Sequence, residues 1–307
     1  MKTPVAFLIY NRPELTRGVF NEIRNAQPPV LLIVADGPSP KRTEDALHCT
    51  LTRSIVENVD WPCTVMRNYA DFNMGCRERV SSGLDWVFSQ VPEAIVLEDD
   101  CLPEPGFFRF CTEVLEHFRD DDRVMMVSGT NMLEEWKSET QSYHFSNYGG
   151  VWGWASWRRA WNYYDVDMKD WEKPEVKEKV KQVLGSEKQF KKRASCFDLT
   201  HDGKIDTWDF QWSFARLARG GLSVVPSVNL ICNIGFGPDA SHTTDPRSPV
   251  SAMKLRHLCF PVCWRNSVAV DRDYDARFIA KVTAKAPICD RIGDVLKAAL
   301  RMLRRRD

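Results

Sequence analysis

Three adjacent carboxylates, Glu98, Asp99 and Asp100, end the apolar run of AIVLEDDCLPEPG, residues 94–106. Neighbouring negative charges repel one another and resist desolvation, so a partly buried triplet calls for positive charge beside it. Hard oxygen donors suit Mg²⁺ or Mn²⁺, which take one or two carboxylates and fill their remaining positions with water and phosphate oxygen. The competing reading is a solvated acidic turn. Against it stand Leu-Pro-Glu-Pro-Gly, which stiffens the chain after the acids, and the helical repeat of Phe107, Phe108, Phe110, Val114, Leu115 and Phe118. A second stretch with chemical content is DTWDFQWSF, residues 206–214. Asp209 lies there between Trp208 and Phe210, apolar neighbours that raise a carboxylate's proton affinity as a general base requires. As the N-cap of the helix that follows it would do no chemistry, and the two readings weigh evenly. Trp152 and Trp154 follow Gly149-Gly150 and flank Gly153. They read as loop residues whose faces suit stacking on a sugar, whereas Trp157 and Trp161, four apart, read as core. His242, in NIGFGPDASHTT, is either a ligand for metal or phosphate or a solvated loop histidine.

An alternation of strands and helices must position these groups. Strands are expected at residues 4–10, 30–35, 63–67 and 94–98, with helices at 14–25, 41–59 and through Trp86 and Phe88, and a further strand at 124–128. That order predicts a mostly parallel sheet with right-handed crossovers, binding its ligand at the carboxyl ends of the strands. Three strands end in polar loops, at Asn11-Arg12, Asp36-Gly37 and the acidic triplet. None is followed by GxGxxG or GxxxxGK[ST], which argues against a dinucleotide dehydrogenase or a P-loop ATPase. Residues 171–193 read as one charged amphipathic helix with a solvated face. Residues 288–306 read as a basic amphipathic helix, docked on the domain or laid on anionic lipid.

The 307 residues, 43% hydrophobic, suffice for one large α/β domain or two small ones. Lys+Arg and Asp+Glu both number 42, so no global basic field draws the chain to nucleic acid. Ten cysteines form no CxxC module and read as free buried thiols in a reducing compartment. The apolar run at residues 5–10 is too short for a signal peptide, and no segment has the length of a membrane span. The expectation is a cytoplasmic protein, attached at most peripherally to the inner face of the membrane.

Taken in order, FLIYNRPE, VADGP, NMGCRER, VLEDDCLPEPGFF, GGVWGWASWRRAW, WDFQW and NIGFGPDASHT resemble the GT-A fold glycosyltransferases. The likeness is to the family-2-like nucleotide-diphospho-sugar transferases of bacterial surface polysaccharide synthesis and, distantly, to N-acetylglucosaminyltransferase I, and it runs from residue 4 to about 245. It implies an α/β, GT-A (Rossmann-like) fold with a mostly parallel central sheet flanked by helices and a C-terminal acceptor-side subregion. The catalytic domain would span residues 1–245, divided into a nucleotide-sugar half (1–130) and an acceptor half (131–245), with a C-terminal extension at 246–307. The implied activity is metal-dependent, inverting transfer of a sugar from a nucleoside-diphosphate donor, a UDP-sugar, to a hydroxyl of a glycan or lipid-linked acceptor, with Mn²⁺ or Mg²⁺ as cofactor.

Position by position, the resemblance gives Asp36 a contact to the nucleobase, Asp99 one to ribose or donor sugar, Asp100 and His242 the metal, and Asp209 the catalytic base. Asn11, Arg12, Glu98 and Arg77 (or its neighbour Arg79) fall on the donor side, Trp152 and Trp154 on the acceptor side. The triplet is EDD where relatives have DxD, which leaves open the carboxylate that touches the ion. Two other classes remain. A sugar-nucleotide nucleotidyltransferase shares the alternation and the metal but needs an early glycine-rich phosphate loop, which this chain lacks. A non-catalytic carbohydrate-binding protein accounts for the tryptophans and not for the triplet.

Overall fold

The computed structural model describes residues 1–236 and 253–283. β1 (Val5–Ile9), α1 (Pro13–Ala26), β2 (Val30–Ala35), α2 (Asp45–Glu57), β3 (Thr64–Tyr69), α3 (Gly75–Gln90) and β4 (Glu93–Glu98) alternate as the sequence predicts. Strands β3, β2, β1 and β4 lie side by side and all run parallel. Leu8 pairs with Val34 on one side and Glu98 on the other, so the carboxyl ends of β1, β2 and β4 are level and their loops share one edge. The apolar runs VAFLI and VLLIVA have the composition of strands covered on both faces.

The second half of the chain contributes β5 (Cys101–Pro103), α4 (Gly106–His117), β6 (Val124–Ser128), β7 (Tyr143–Ser146), β8 (Trp154–Trp157), α5 (Arg158–Trp161), α6 (Pro174–Leu184), α7 (Glu187–His201), α8 (Asp209–Arg219), β9 (Leu222–Pro226), β10 (Ile231–Asn233) and α9 (Arg272–Thr283). The main sheet continues β4-β8-β6-β9-β7 to eight strands. β8 is antiparallel to both its neighbours, β9 runs parallel to β6, and β7 closes the edge antiparallel. The fold is therefore α/β, a mostly parallel central sheet flanked by helices. β5 and β10 form a separate two-stranded ribbon in which Cys101 pairs with Asn233.

One face of the sheet is covered by α1 and by α4, which buries Phe107, Phe108, Phe110, Val114 and Leu115, each worth about 1.5–3 kcal/mol in apolar burial. On the other face Trp154, Trp161, Trp208 and Trp212 pack together with ring centroids 5.3–6.5 Å apart. Trp154 thus departs from its expected place on a loop. It sits in β8, fully buried, because Gly153 at φ +57° makes the turn and the strand begins immediately after it. The long helix expected at 171–193 is broken as well: Gly185, in the left-handed region, stops α6, and the Ser186 hydroxyl caps α7 by accepting from the Gln189 N–H.

Beyond residue 253 the chain returns to the core, where Tyr274, Phe278 and Ile279 pack with Tyr148, Phe214 and Leu217. The basic helix expected at 288–306 lies outside the described residues. Among the described residues no helix is long and apolar enough to cross a membrane, and the nine cysteines are free.

Candidate functional site

A cavity of about 470 Å³ opens at the carboxyl ends of β1, β2 and β4 and gathers Asn11, Arg12, Asp36, Glu98, Asp99 and Asp100. Asp99, 8% exposed, accepts a hydrogen bond from the Tyr10 N–H at 3.0 Å. Arg12 Nη1 donates to Asp100 Oδ2 at 2.9 Å. The ribbon holds Asp100 from the other side: the Ile234 N–H donates to its carbonyl at 2.8 Å, and Asn233 Nδ2 approaches its Oδ1 at 3.4 Å.

Burial and the neighbouring Asp100 push the Asp99 carboxyl up to about 7. Burial, Asp100, Asp99 and Asp209 push Glu98 well above the ordinary carboxylate range, while Arg12 opposes both shifts. Crowding three carboxylates beside Arg12 thus favours a bound proton on Glu98 and Asp99, a role that a cation at the same place would take over. Among the described residues no three His, Cys, Asp or Glu side chains are grouped to hold an ion by themselves. Such a donor set fits a hard divalent cation that takes one or two carboxylates and completes its sphere with phosphate oxygen and water.

Two buried carboxylates brace the loops around the cavity. Asp36, 7% exposed, accepts from the Gly37 N–H at 2.8 Å, the Met74 N–H at 2.9 Å, Asn73 Nδ2 at 2.9 Å and the Gly75 N–H at 3.2 Å. The three from Asn73, Met74 and Gly75 tie the loop after β2 to the start of α3, and burial still raises the Asp36 carboxyl. Asp45, at the start of α2, accepts from the Tyr10 hydroxyl, Asn11 Nδ2 and the Ser39 N–H, fixing the loop after β1 against the loop after β2. The Asn11 amide is therefore spoken for by Asp45.

A second cavity, of about 180 Å³, lies beside the first, and Trp152 lines both. Asp209, Trp212, Ser213 and Arg216 form one of its walls, spaced i, i+3, i+4 and i+7 along α8. The Asp209 carboxylate accepts from the Thr207 hydroxyl. Trp208 precedes the helix and Asp209 is its first residue, so the N-cap reading of Asp209 does not apply. Trp208 and Trp212, pinned in the tryptophan cluster, hold it in place.

No protein-family profile matches the chain, and no curated protein sequence matches it. Solved structures that resemble it include residues 1–349 of S. aureus TarS, at 10% identity over 75% of this chain and 59% of that one, with a TM-score of 0.41. A UDP-glucose pyrophosphorylase complexed with UDP-glucose aligns at 12% identity over 76% of this chain and 93% of that one, with a TM-score of 0.37. The 4-diphosphocytidyl-2C-methyl-D-erythritol synthase of Anaerococcus prevotii aligns at 9% identity over 51% and 72%, with a TM-score of 0.32.

Of the residues singled out in the sequence, the larger cavity collects Asn11, Arg12, Asp36, Glu98, Asp99, Asp100 and Trp152, and the smaller one Asp209. Two are placed elsewhere. Trp154 is sealed under the sheet and offers no face to an acceptor. Arg77 is drawn off the cavity wall by the Val166 carbonyl at 2.9 Å and by Asp167 at 3.2 Å. Its neighbour Arg79 lines the cavity but is buried, donating to the carbonyls of Ala35 and Asn68 and to the Asn68 side chain. His242 lies outside the described residues. Asp45, Asp206, Arg193 and Arg216 are not among the residues singled out in the sequence; for Arg216 a signal exists, its i+7 spacing from Asp209.

Proposed function

We propose that the chain is a metal-dependent inverting glycosyltransferase. It would move a sugar from a nucleoside-diphosphate donor, a UDP-sugar, to a hydroxyl of a glycan or lipid-linked acceptor, as in bacterial surface polysaccharide synthesis. One arrangement supports this above all: a cavity walled by carboxylates at the strand ends adjoins a smaller one containing Asp209, with Trp152 common to both. Asp209 is near enough to the triplet for its charge to act on Glu98.

In this reading the nucleoside lies toward the loops braced by Asp36 and Asp45, and the diphosphate toward Arg12 and Asp100. A bound Mn²⁺ or Mg²⁺, held through Asp100, supplies neutralisation of the charge on the departing diphosphate. Trp152 stacks on a sugar where the cavities meet. From the far side, Asp209 takes the proton of an acceptor hydroxyl as that oxygen attacks the anomeric carbon, and inversion follows because base and leaving group are on opposite faces. Holding both substrates across one boundary makes the attack effectively intramolecular. Attachment to the inner membrane face through residues 288–306 belongs to the same proposal.

A nucleotidyltransferase would use the same carboxylates and ion but leaves the cavity at Asp209 without a task. Incubation with a panel of nucleotide sugars and Mn²⁺ separates the two. Release of nucleoside diphosphate is expected; release or consumption of pyrophosphate would favour the alternative. Asp209→Asn, which keeps an acceptor for the Thr207 hydroxyl, should lower turnover by roughly 10²-fold or more at near-normal thermal stability. Full turnover in that variant, or a product retaining the donor's anomeric configuration, removes Asp209 from the mechanism.

A further inference from the structure

We infer that the smaller cavity is an anion subsite, so that the acceptor carries a carboxylate or phosphate group a short distance from the hydroxyl that reacts. That the group belongs to an acceptor rests on the transferase reading above; that the cavity takes an anion does not.

Two arginines line it, Arg193 from α7 and Arg216 from α8. Arg216 is 2% exposed. Its Nη1 donates to Ser223 Oγ at 2.7 Å, and its Nε is buried with no partner. The carboxylate whose field reaches it is Asp275, and that group is engaged by the Ser146 hydroxyl and the Asn147 N–H. Burial lowers Arg216 to about 9, so it stays charged at neutral pH, and Arg193 repels it. The Arg193 guanidinium lies over the Tyr148 ring, 5.1 Å from its centroid. A buried guanidinium without a paired carboxylate, beside a second cation, is an unfavourable arrangement that an anion between them reverses. Arginine forks match carboxylate and phosphate oxygens alike.

The geometry also sets the length of the ligand. Asp209 and Arg216 are seven residues apart on one helix face, about 10 Å along its axis. The cavity is therefore acidic at one end and basic at the other. An acceptor sugar with its hydroxyl at Asp209 extends its anionic substituent toward Arg216, and the reversed orientation sets anion against carboxylate. Gly149 and Gly150 form part of the remaining wall, and a Cβ at either would meet Ser223 Oγ at 2.5 Å or Thr130 Cβ at 2.9 Å.

The test is calorimetric titration of the full chain, with UDP and Mn²⁺ present to fill the donor side, using glucose 6-phosphate, glucuronate and glucose as probes. At least one anionic sugar should bind tenfold or more tightly than glucose, and Arg216→Met and Arg193→Gln should each erase most of that preference. Preference for glucose 6-phosphate identifies a phosphate-bearing acceptor, for glucuronate a carboxylate-bearing one, and equal preference a subsite open to both. Should Arg216→Met fail to fold, Arg193→Gln, at a half-buried position, carries the test. Anionic sugars that bind no better than glucose, or a preference that survives both replacements, overturn the subsite. Anion preference in a chain that turns over no nucleotide sugar keeps the subsite and removes the transferase reading.

Discussion

Asp100 is held in place by a backbone that leaves no room for a side chain opposite, and Gly235→Ala exposes that dependence. A Cβ at residue 235 would lie 2.1 Å from Asp100 Oδ2 and 2.7 Å from its Cβ and Cγ, where ordinary contact begins at 3.4 Å. The two groups must part by the difference, 1.3 Å. The backbone can yield little of this, because the Ile234 N–H bonds the Asp100 carbonyl and the adjacent Cys101 pairs with Asn233 in the ribbon. The strain falls on the carboxylate, and a displacement of that size takes it out of range of Arg12, now 2.9 Å away. Gly→Ala at an unstrained position ordinarily stabilises by about 0.4–1 kcal/mol, whereas overpacking costs about 1–3 kcal/mol. The net expectation is a loss of about 1–2 kcal/mol, read as a fall of a few degrees in Tm. In parallel, calorimetry should show Mn²⁺-dependent UDP affinity reduced by tenfold or more. A variant with an equal or higher Tm and unchanged metal-dependent affinity would refute both the tight contact and the place of Asp100 in the site.

Arg79→Lys cannot satisfy the three acceptors that the guanidinium bonds at the ends of β2 and β3, so urea denaturation should show a loss of about 2–4 kcal/mol, with UDP affinity little altered. Normal stability with a tenfold loss of UDP affinity would instead put Arg79 on the diphosphate. Asp275→Asn addresses a buried carboxyl that burial raises from 3.8 to about 6. Because the folded value lies above the unfolded one, the folded chain keeps the proton between about pH 4 and 6; this contribution is fully present below about pH 4 and is lost as pH rises through 6, at most about 3 kcal/mol. The variant should therefore gain on the natural chain in Tm between pH 4.5 and 7.5, and a pH-independent gap contradicts the assignment.

The first four strands were legible because parallel strands covered on both faces are continuous apolar runs, and the amphipathic helices between them have a different period. The acidic triplet was legible as a cluster of like charges. Its partner was not, since Arg12 is 88 residues away and nothing local couples them. β5 and β10, three residues each, are too short to carry a pattern, although they position Asp100. Trp154 misled because glycines beside it signal a loop, while the strand starts one residue later. Arg77, placed on the donor side by the resemblance, is turned away because Val166 and Asp167, about 90 residues on, capture its guanidinium, a contact that no local pattern announces. Arg216, in the last turn of a helix, reads as a complement to the helix dipole, and only the tertiary packing shows it buried.

The place of β8 between β4 and β6 governs how this protein can be assembled and divided. On the ribosome, β4 emerges with one lateral edge unpaired until residue 157 has been made, and Asp100 stays unclasped until the ribbon closes more than seventy residues later. A nascent chain thus holds its acidic triplet well before it holds a site. Cutting at residue 130 would leave β4 and β6 on one fragment and β8 and β9 on the other, so reassociation demands that one fragment's strand intercalate between two of its counterpart's. The segments before and after residue 130 could not be exchanged as cassettes, because the sheet is woven from both.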